Sequence, residues 1–245
     1  MDPITQFSDY LTEYDRIVVF TGAGISTASG VPDFRSPNGI WQTYKPVYFN
    51  DFLANESDRR RYWQMKKETY ELYKDVVPNP AHDWVYDLEV KRKLVGLITQ
   101  NVDGLHRQAG HAEDKMVEIH GTDRQVMCLD CEKRWEASVF FESLDLSVPL
   151  PVCDVCGGLL KPATISFGQS MDPRTMTIAS QWCFEAQLFI SIGSSLVVHP
   201  AASLPVLALS YGAILVILNR EETPLDDRAH LVIHDDICTV LSSIS

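Results

Sequence analysis

Arg16-Ile17-Val18-Val19-Phe20-Thr21-Gly22-Ala23-Gly24-Ile25-Ser26 is the stretch on which the fold turns. Its first half is a β-branched apolar run, too short for a buried helix, and it stops at a Gly-Ala-Gly turn. Comparable runs recur at residues 94–98, 116–119, 188–192, 213–218 and 231–233. Each is nearly continuous in apolar residues rather than alternating, which predicts strands buried on both faces of their sheet. Helix-length segments, such as residues 80–93 and 172–185, lie between them. Strand and helix in alternation predict an α/β fold built on a doubly wound parallel sheet.

Two stretches interrupt the alternation. Residues 32–79 carry no convincing strand and read as loop followed by helices rich in aromatic and charged side chains. Residues 128–156 hold two cysteine pairs around a polar, proline-containing middle. Together they predict insertions that build a smaller second lobe. Cys128-x-x-Cys131 and Cys153-x-x-Cys156 are separated by 21 residues, and such pairs can bring four thiolates to one tetrahedral zinc ion. Four sulfurs leave no open coordination position, so this zinc is expected to be structural.

The turn at Gly22-Ala23-Gly24 has a chemical reading as well. Glycines let backbone approach a phosphate, and a helix starting here would aim N–H groups and partial positive charge at it. Thr27 stands where a dinucleotide fingerprint has its third glycine, and alone a Gly-x-Gly after a strand also reads as a plain tight turn. Gly193-Ser194-Ser195 follows a later strand and could add N–H and hydroxyl donors at the same sheet edge. Asn219, directly after another strand, reads as a ribose-hydroxyl partner or as an ordinary loop asparagine.

Composition narrows the class. Hydrophobic residues make up 45% and charged residues 22%, as in ordinary globular proteins. A formal net charge of -12 argues against a general nucleic-acid binder, which needs lysine and arginine for phosphates. The cluster Arg59-Arg60-Arg61 with Lys66-Lys67 reads as the solvated face of a helix. The first residues show no basic segment leading into an apolar core, and the longest apolar runs are strand-sized, so neither a secretory signal nor a membrane span is expected. A cytoplasmic location follows as the expectation.

The motifs, in their order, resemble the sirtuins. Gly22-Ala23-Gly24-Ile25-Ser26, continuing through Ser29-Gly30-Val31-Pro32-Asp33-Phe34-Arg35-Ser36, is similar to the first signature of that family. Thr99-Gln100-Asn101-Val102-Asp103-Gly104-Leu105-His106 is similar to the second. Glu118-Ile119-His120-Gly121, the cysteine quartet, Phe167-Gly168 and Gly193-Ser194-Ser195 follow, so the resemblance runs from about residue 10 to the end. It implies a Rossmann-type lobe, a zinc-ribbon plus helical lobe, and a cleft between them for NAD and an acyl-lysine peptide. The implied division is 1–31, 80–122 and 160–245 for the NAD-binding lobe, with 32–79 and 123–159 forming the small lobe.

Carried over by the resemblance, Gly22, Ala23, Gly24, Asp33, Phe34 and Arg35 contact the cofactor, while Gln100, Asn101 and Asp103 face the nicotinamide ribose and amide. Gly193, Ser194, Ser195, Asn219 and Ile237 take the adenosine half. His120 is the implied catalytic base, with Asn101 and Asp103 assisting, and an imidazole titrating near 6.5 suits that role near neutrality. Ile165, Ser166, Phe167 and Gly168 lie on the implied peptide-binding segment. His106 is read as structural, and His82, His111, His199, His230 and His234 as surface or packing histidines.

Residues 60–66 and 78–82 resemble the class II branch and suggest a prokaryotic source. Ser166 stands where many relatives carry an aromatic residue, and Gln169 where they carry an acid, which leaves the preferred acyl group open. Trp63 and Lys66 occupy the positions of the Tyr-x-x-Arg pair of desuccinylase-type relatives, so succinyl-lysine is disfavoured, although Lys66 could still meet an acid. Two rival readings accompany the deacylase: ADP-ribosyl transfer or NAD hydrolysis at the same site, and a catalytically silent nucleotide-sensing module. Oligomeric state is open.

Overall fold

In the computed structural model, which describes residues 2–34 and 39–244, the predicted runs become strands of one six-stranded sheet. The strands are β1 (Ile17–Thr21), β2 (Leu94–Thr99), β3 (Met116–Glu118), β7 (Leu188–Ile192), β8 (Ile214–Leu218) and β9 (Leu231–Ile233). They pair in parallel in the order β3-β2-β1-β7-β8-β9. Alternate residues of β1 point to opposite faces: Ile17 and Val19 into one core cluster, Val18 and Phe20 into another. Both faces are covered, as the continuous apolar runs required. Helices α1 (Pro3–Glu13), α5 (Pro80–Val90) and α10 (Ile237–Ser242) contribute Phe7, Val85 and Leu241 to the first cluster. Helices α8 (Pro173–Glu185) and α9 (Leu204–Ser210) contribute Ala179, Cys183 and Leu204 to the second.

The register matters most at the carboxyl ends. Thr21 pairs with Thr99 and with Ile192, and Ile192 pairs with Leu218. The residues that follow, Gly22, Gln100, Gly193 and Asn219, therefore form one row along the carboxyl edge. The chain leaves β1 toward β2 and β3, then returns to β7 on the other side of β1. That reversal opens a crevice where open α/β sheets bind ligands.

The interrupting stretches fold as helices and a second sheet. Residues 32–79 supply α2 (Ile40–Thr43), α3 (Phe49–Ala54) and α4 (Glu56–Tyr73). Strands β4 (Gly121–Cys128), β5 (Arg134–Glu136) and β6 (Leu160–Thr164) form an antiparallel sheet in the order β5-β4-β6, flanked by α7 (Ala137–Ser143). Trp63 and Tyr70 of α4 pack with Val126, Phe141 and Leu160. The expected division placed residues 160–164 in the larger lobe, yet β6 pairs with β4 in the smaller sheet.

The four cysteine sulfurs lie within 4.8 Å of one another, with Cys128 and Cys156 at 3.5 Å and Cys131 and Cys153 at 3.6 Å. A tetrahedral zinc with sulfurs at about 2.3 Å spaces them about 3.8 Å apart, so the quartet fits one ion and is too open for disulfides. The backbone N–H groups of Asp130 and Val155 donate to the Cys128 and Cys153 sulfurs, each at 3.4 Å. These bonds orient the ligands.

Lys66 departs from its expected place. Lys66 is not on a solvated face: its ammonium bonds both oxygens of Asp123 on β4, at 2.8 and 2.9 Å. Burial works against that ammonium, but the Asp123 carboxylate and Tyr62 hold its basicity above the ordinary lysine value. His82 on α5, His106 on the short helix α6 (Leu105–Ala109) and His111 are packing residues, in keeping with the structural and packing roles expected of them. They are 0%, 2% and 5% exposed, and their rings stand in file, centroids 4.8 and 5.6 Å apart.

Two expectations follow. Metal analysis of the purified protein should find about one zinc per chain, and Cys131→Ser should abolish it together with the near-ultraviolet signal of the small lobe, because metal binding of this kind supplies roughly 10–16 kcal/mol to folding. A metal-free protein with an intact tertiary signal contradicts the assignment. Burial, and then its neighbour His111, push the basicity of His82 down to about 4, and burial also lowers that of His106 and His111. Below the unfolded value of about 6.5 the unfolded chain takes up protons that the folded chain refuses, so stability present at pH 7.5 is lost as pH falls. Denaturant titrations should lose roughly 1.4 kcal/mol per pH unit from His82 below that point, approaching about 3 kcal/mol near pH 4, with His106 and His111 adding in the same direction. A flat profile between pH 7.5 and 5 contradicts buried neutral histidines.

Candidate active site

The crevice at the carboxyl edge opens into a cavity of about 410 Å³ that runs from the first glycine turn to the peptide-like segment after β6. At its base the two glycine turns touch. The Gly24 N–H donates to the Gly193 carbonyl at 2.9 Å, and a Cβ on Gly24 would fall 2.7 Å from the Gly193 Cα. Gly193 itself has φ 64, a left-handed conformation that glycine adopts without strain. Only glycine backbone permits this approach.

The segment after β1 differs from its expected form. Ala23–Ser29 is a 3₁₀ helix of seven residues, and the N–H groups of Gly24 and Ile25 bond Gly193 and Gly22 rather than pointing outward. The turn thus presents glycine surface more than a ring of helix amides.

Gln100 links three elements. Its backbone N–H donates to the Thr21 carbonyl at 2.9 Å, and its side-chain amide donates to Ser194 Oγ at 2.7 Å. Its carbonyl oxygen lies 3.1 Å from His120 Nδ1. A carbonyl can only accept, so His120 carries a proton on Nδ1, and when the ring is neutral its lone pair is on Nε2. His120 follows β3 and lines the cavity, while its own carbonyl accepts from Ile165 N–H at 2.8 Å. The segment Ile165, Ser166, Phe167 and Gly168 is thereby tied to the same wall, and all four line the cavity.

Behind Gln100 lies a buried polar knot. Ser26 Oγ donates to Asp103 Oδ2 at 2.8 Å and accepts from Asn101 Nδ2 at 3.0 Å. His82 Nδ1 accepts from Asn79 N–H, so its Nε2, 3.3 Å from Ser26 Oγ, is the donor there. The hydroxyl has one donor and two acceptor positions in use. Burial raises the Asp103 carboxyl above its usual value, against the N–H of Leu105, the Ser26 hydroxyl and Arg124. Asn101 lines the cavity, whereas Asp103 sits beneath Ser26 and not on the wall.

The remaining expected residues divide as follows. Gly22, Ala23, Asp33 and Phe34 line the cavity, and Arg35 lies outside the described residues. Ser194, Ser195, Asn219 and Ile237 line the far end. Asn219 uses its side-chain amide on the Glu221 carbonyl at 2.7 Å. At the inner end, Val47, Tyr62, Met65 and Thr164 form a wall that the sequence reading did not pick out. They come from three separate elements, and no local spacing joins them. Phe34, Trp41, Phe167 and Tyr48 form a chain of rings with centroids 5.4 to 5.9 Å apart, and the first three line the cavity.

Residues 22–200 match the model of the Sir2 family. An NAD-dependent protein deacetylase of Rhodopseudomonas palustris is 42% identical over 234 residues, covering 96% of this chain and 92% of its own. One from Thermodesulfovibrio yellowstonii is 40% identical over 227 residues, covering 93% and 88%. A solved Sir2 variant with a deacetylated p53 peptide and 3'-O-acetyl ADP ribose superimposes with a TM-score of 0.90 at 37% identity, covering 98% of this chain and 96% of that one. With a family model matched over most of its length and relatives this similar across nearly all of it, the chain belongs to the Sir2 family.

Proposed function

We propose that this protein is an NAD-dependent protein lysine deacylase, most simply a deacetylase, which transfers the acyl group to ADP-ribose and releases nicotinamide. The observation that carries the reading is the contact of His120 Nδ1 with the Gln100 carbonyl at 3.1 Å, on a histidine that lines the cavity. The named activity of the relatives and the acetyl ADP ribose in the related complex support it.

NAD supplies a ribose carbon that becomes electrophilic as nicotinamide leaves, and later the hydroxyl that accepts the acyl group. The protein's part is to bind, orient and move protons. Gly22, Ala23 and Gly24 let the cofactor approach the sheet edge, with Ser194 and Ser195 opposite and Asn219 and Ile237 at the adenosine end. Asp33, Phe34 and Arg35 are proposed to contact it. Gln100 and Asn101 face the nicotinamide side, and Asp103 acts from behind by holding Ser26 and, through it, the Asn101 amide. His120 would serve as the base that holds the proton of a bound ribose hydroxyl. Ile165 to Gly168 pair with the acyl-lysine peptide. The four-cysteine zinc keeps the smaller lobe folded beside the cleft. We propose the lobe division given above with β6 moved to the smaller lobe, and a cytoplasmic location.

The inner wall bears on the acyl group. Val47, Tyr62 and Met65 are buried and give it an apolar surface. Lys66 also lines the cavity, but its ammonium already bonds both oxygens of Asp123. A dicarboxylic acyl group would have to compete with that carboxylate.

Incubation with NAD and an acetyl-lysine peptide should yield deacetylated peptide with stoichiometric nicotinamide. His120→Ala should lower kcat by roughly 10²- to 10⁴-fold, the usual reach of a general base. Across an acyl panel, acetyl and other short neutral groups should exceed succinyl in kcat/KM. Nicotinamide release that ignores the peptide, or full turnover in His120→Ala, overturns the reading; a succinyl preference overturns the role given to the Lys66–Asp123 pair.

A further inference from the structure

The file of buried histidines beneath the site has a connection to the reaction that its packing alone does not require. His106 Nε2 lies 3.1 Å from Thr21 Oγ1. The Thr21 hydroxyl donates to Thr99 Oγ1 at 2.9 Å, and Thr99 Oγ1 accepts the Asn101 N–H at 3.1 Å. Because the Thr21 proton is directed at Thr99, Thr21 Oγ1 accepts from His106, whose proton is on Nε2. His106 Nδ1 agrees with this: it is buried without a hydrogen-bond partner among the described residues, and an N–H there would be the costlier orphan.

We propose that His106 is a positioning residue for deacylation: the chain His106–Thr21–Thr99–Asn101 holds the turn at Gln100 and Asn101, and that turn holds His120 in its working tautomer. Thr21 and Thr99 end adjacent parallel strands in register, so their hydroxyls bridge the strands directly under the turn. With Nε2–H in place, the Thr21 hydroxyl has one rotamer to adopt. Without it, Thr21 is released, Thr99 loses its second partner, and the Gln100 carbonyl that fixes His120 Nδ1 loses its support.

The surroundings keep His106 neutral. His82 and His111 are in ring contact with it on either side. Beyond them, Glu89 Oε2 lies 2.6 Å from His111 Nδ1, the Tyr86 ring meets His111, and Asp103 reaches His82 only through Ser26. A proton on His106 would be a buried cation between two imidazoles.

The inference rests on the deacylase reading, and assaying the wild-type protein alongside separates the two: an inactive wild type refutes that reading. His106→Leu deletes the donor at similar volume, and His106→Gln returns an N–H at the same reach. His106→Leu should fold and lower kcat roughly 10- to 100-fold, with KM for NAD and peptide changed less than about threefold, as expected for lost orientation. His106→Gln should recover kcat to within about threefold of wild type. Nitrogen-15 spectra of the imidazoles should show the His106 proton on Nε2 and the His120 proton on Nδ1 in the wild type. The His120 signal should become a mixture of tautomers in Thr21→Val, which cuts the chain with every histidine retained and serves if His106→Leu does not fold. Wild-type kcat in folded His106→Leu, a His106→Gln variant no better than His106→Leu, a wild-type His106 protonated on Nδ1, or an unchanged His120 tautomer in Thr21→Val would each overturn the proposal.

Discussion

The close approach of two glycine turns at the switch between β1 and β7 is the constraint on which the rest depends. The Gly24 to Gly193 hydrogen bond, 2.9 Å long and too tight for any side chain, carries the close spacing of β1 and β7 past the strand ends into the two turns. From that spacing follows the reach of Gln100 to Ser194 across the crevice, and from Gln100 the orientation of His120. Parallel pairing in register does the remainder, because it turns residues more than a hundred positions apart into neighbours along one edge.

Much of this was legible in the sequence. The apolar runs marked every strand of the larger sheet to within a residue or two, since a strand covered on both faces has no polar alternation to disguise it. The cysteine quartet was equally plain, because metal spacing is a local signal. Local pattern alone does not mark the smaller sheet as strands: β5 is three residues long, and β6 begins Leu160-Lys161-Pro162, a lysine and a proline that argue against a buried strand. Lys161 is nonetheless 1% exposed, its ammonium donating to the Pro162 and Thr164 carbonyls.

The polar interior was the least legible part, for one physical reason. A side chain's partner across the fold leaves no trace in local periodicity. Lys66 and Asp123 are 57 residues apart, and nothing near either residue announces the pair. Ser26 was quoted within a motif, but its place between Asn101 and Asp103 depends on the curl of the 3₁₀ helix after β1. The histidine file draws on α5, α6 and the loop after α6, so each ring taken singly reads as ordinary packing. Asp103 illustrates the converse, a motif residue that acts on the cavity from one layer beneath it.

The account's central claim is geometric: the cavity presents a neutral imidazole, proton on Nδ1 and lone pair on Nε2, to the ribose of a bound NAD. A crystal structure of this protein with NAD and an acyl-lysine peptide tests it most directly. It should show His120 Nε2 within about 3 Å of a ribose hydroxyl while Nδ1 keeps the Gln100 carbonyl. An imidazole swung off that carbonyl, or a ribose held beyond its reach, would contradict the account.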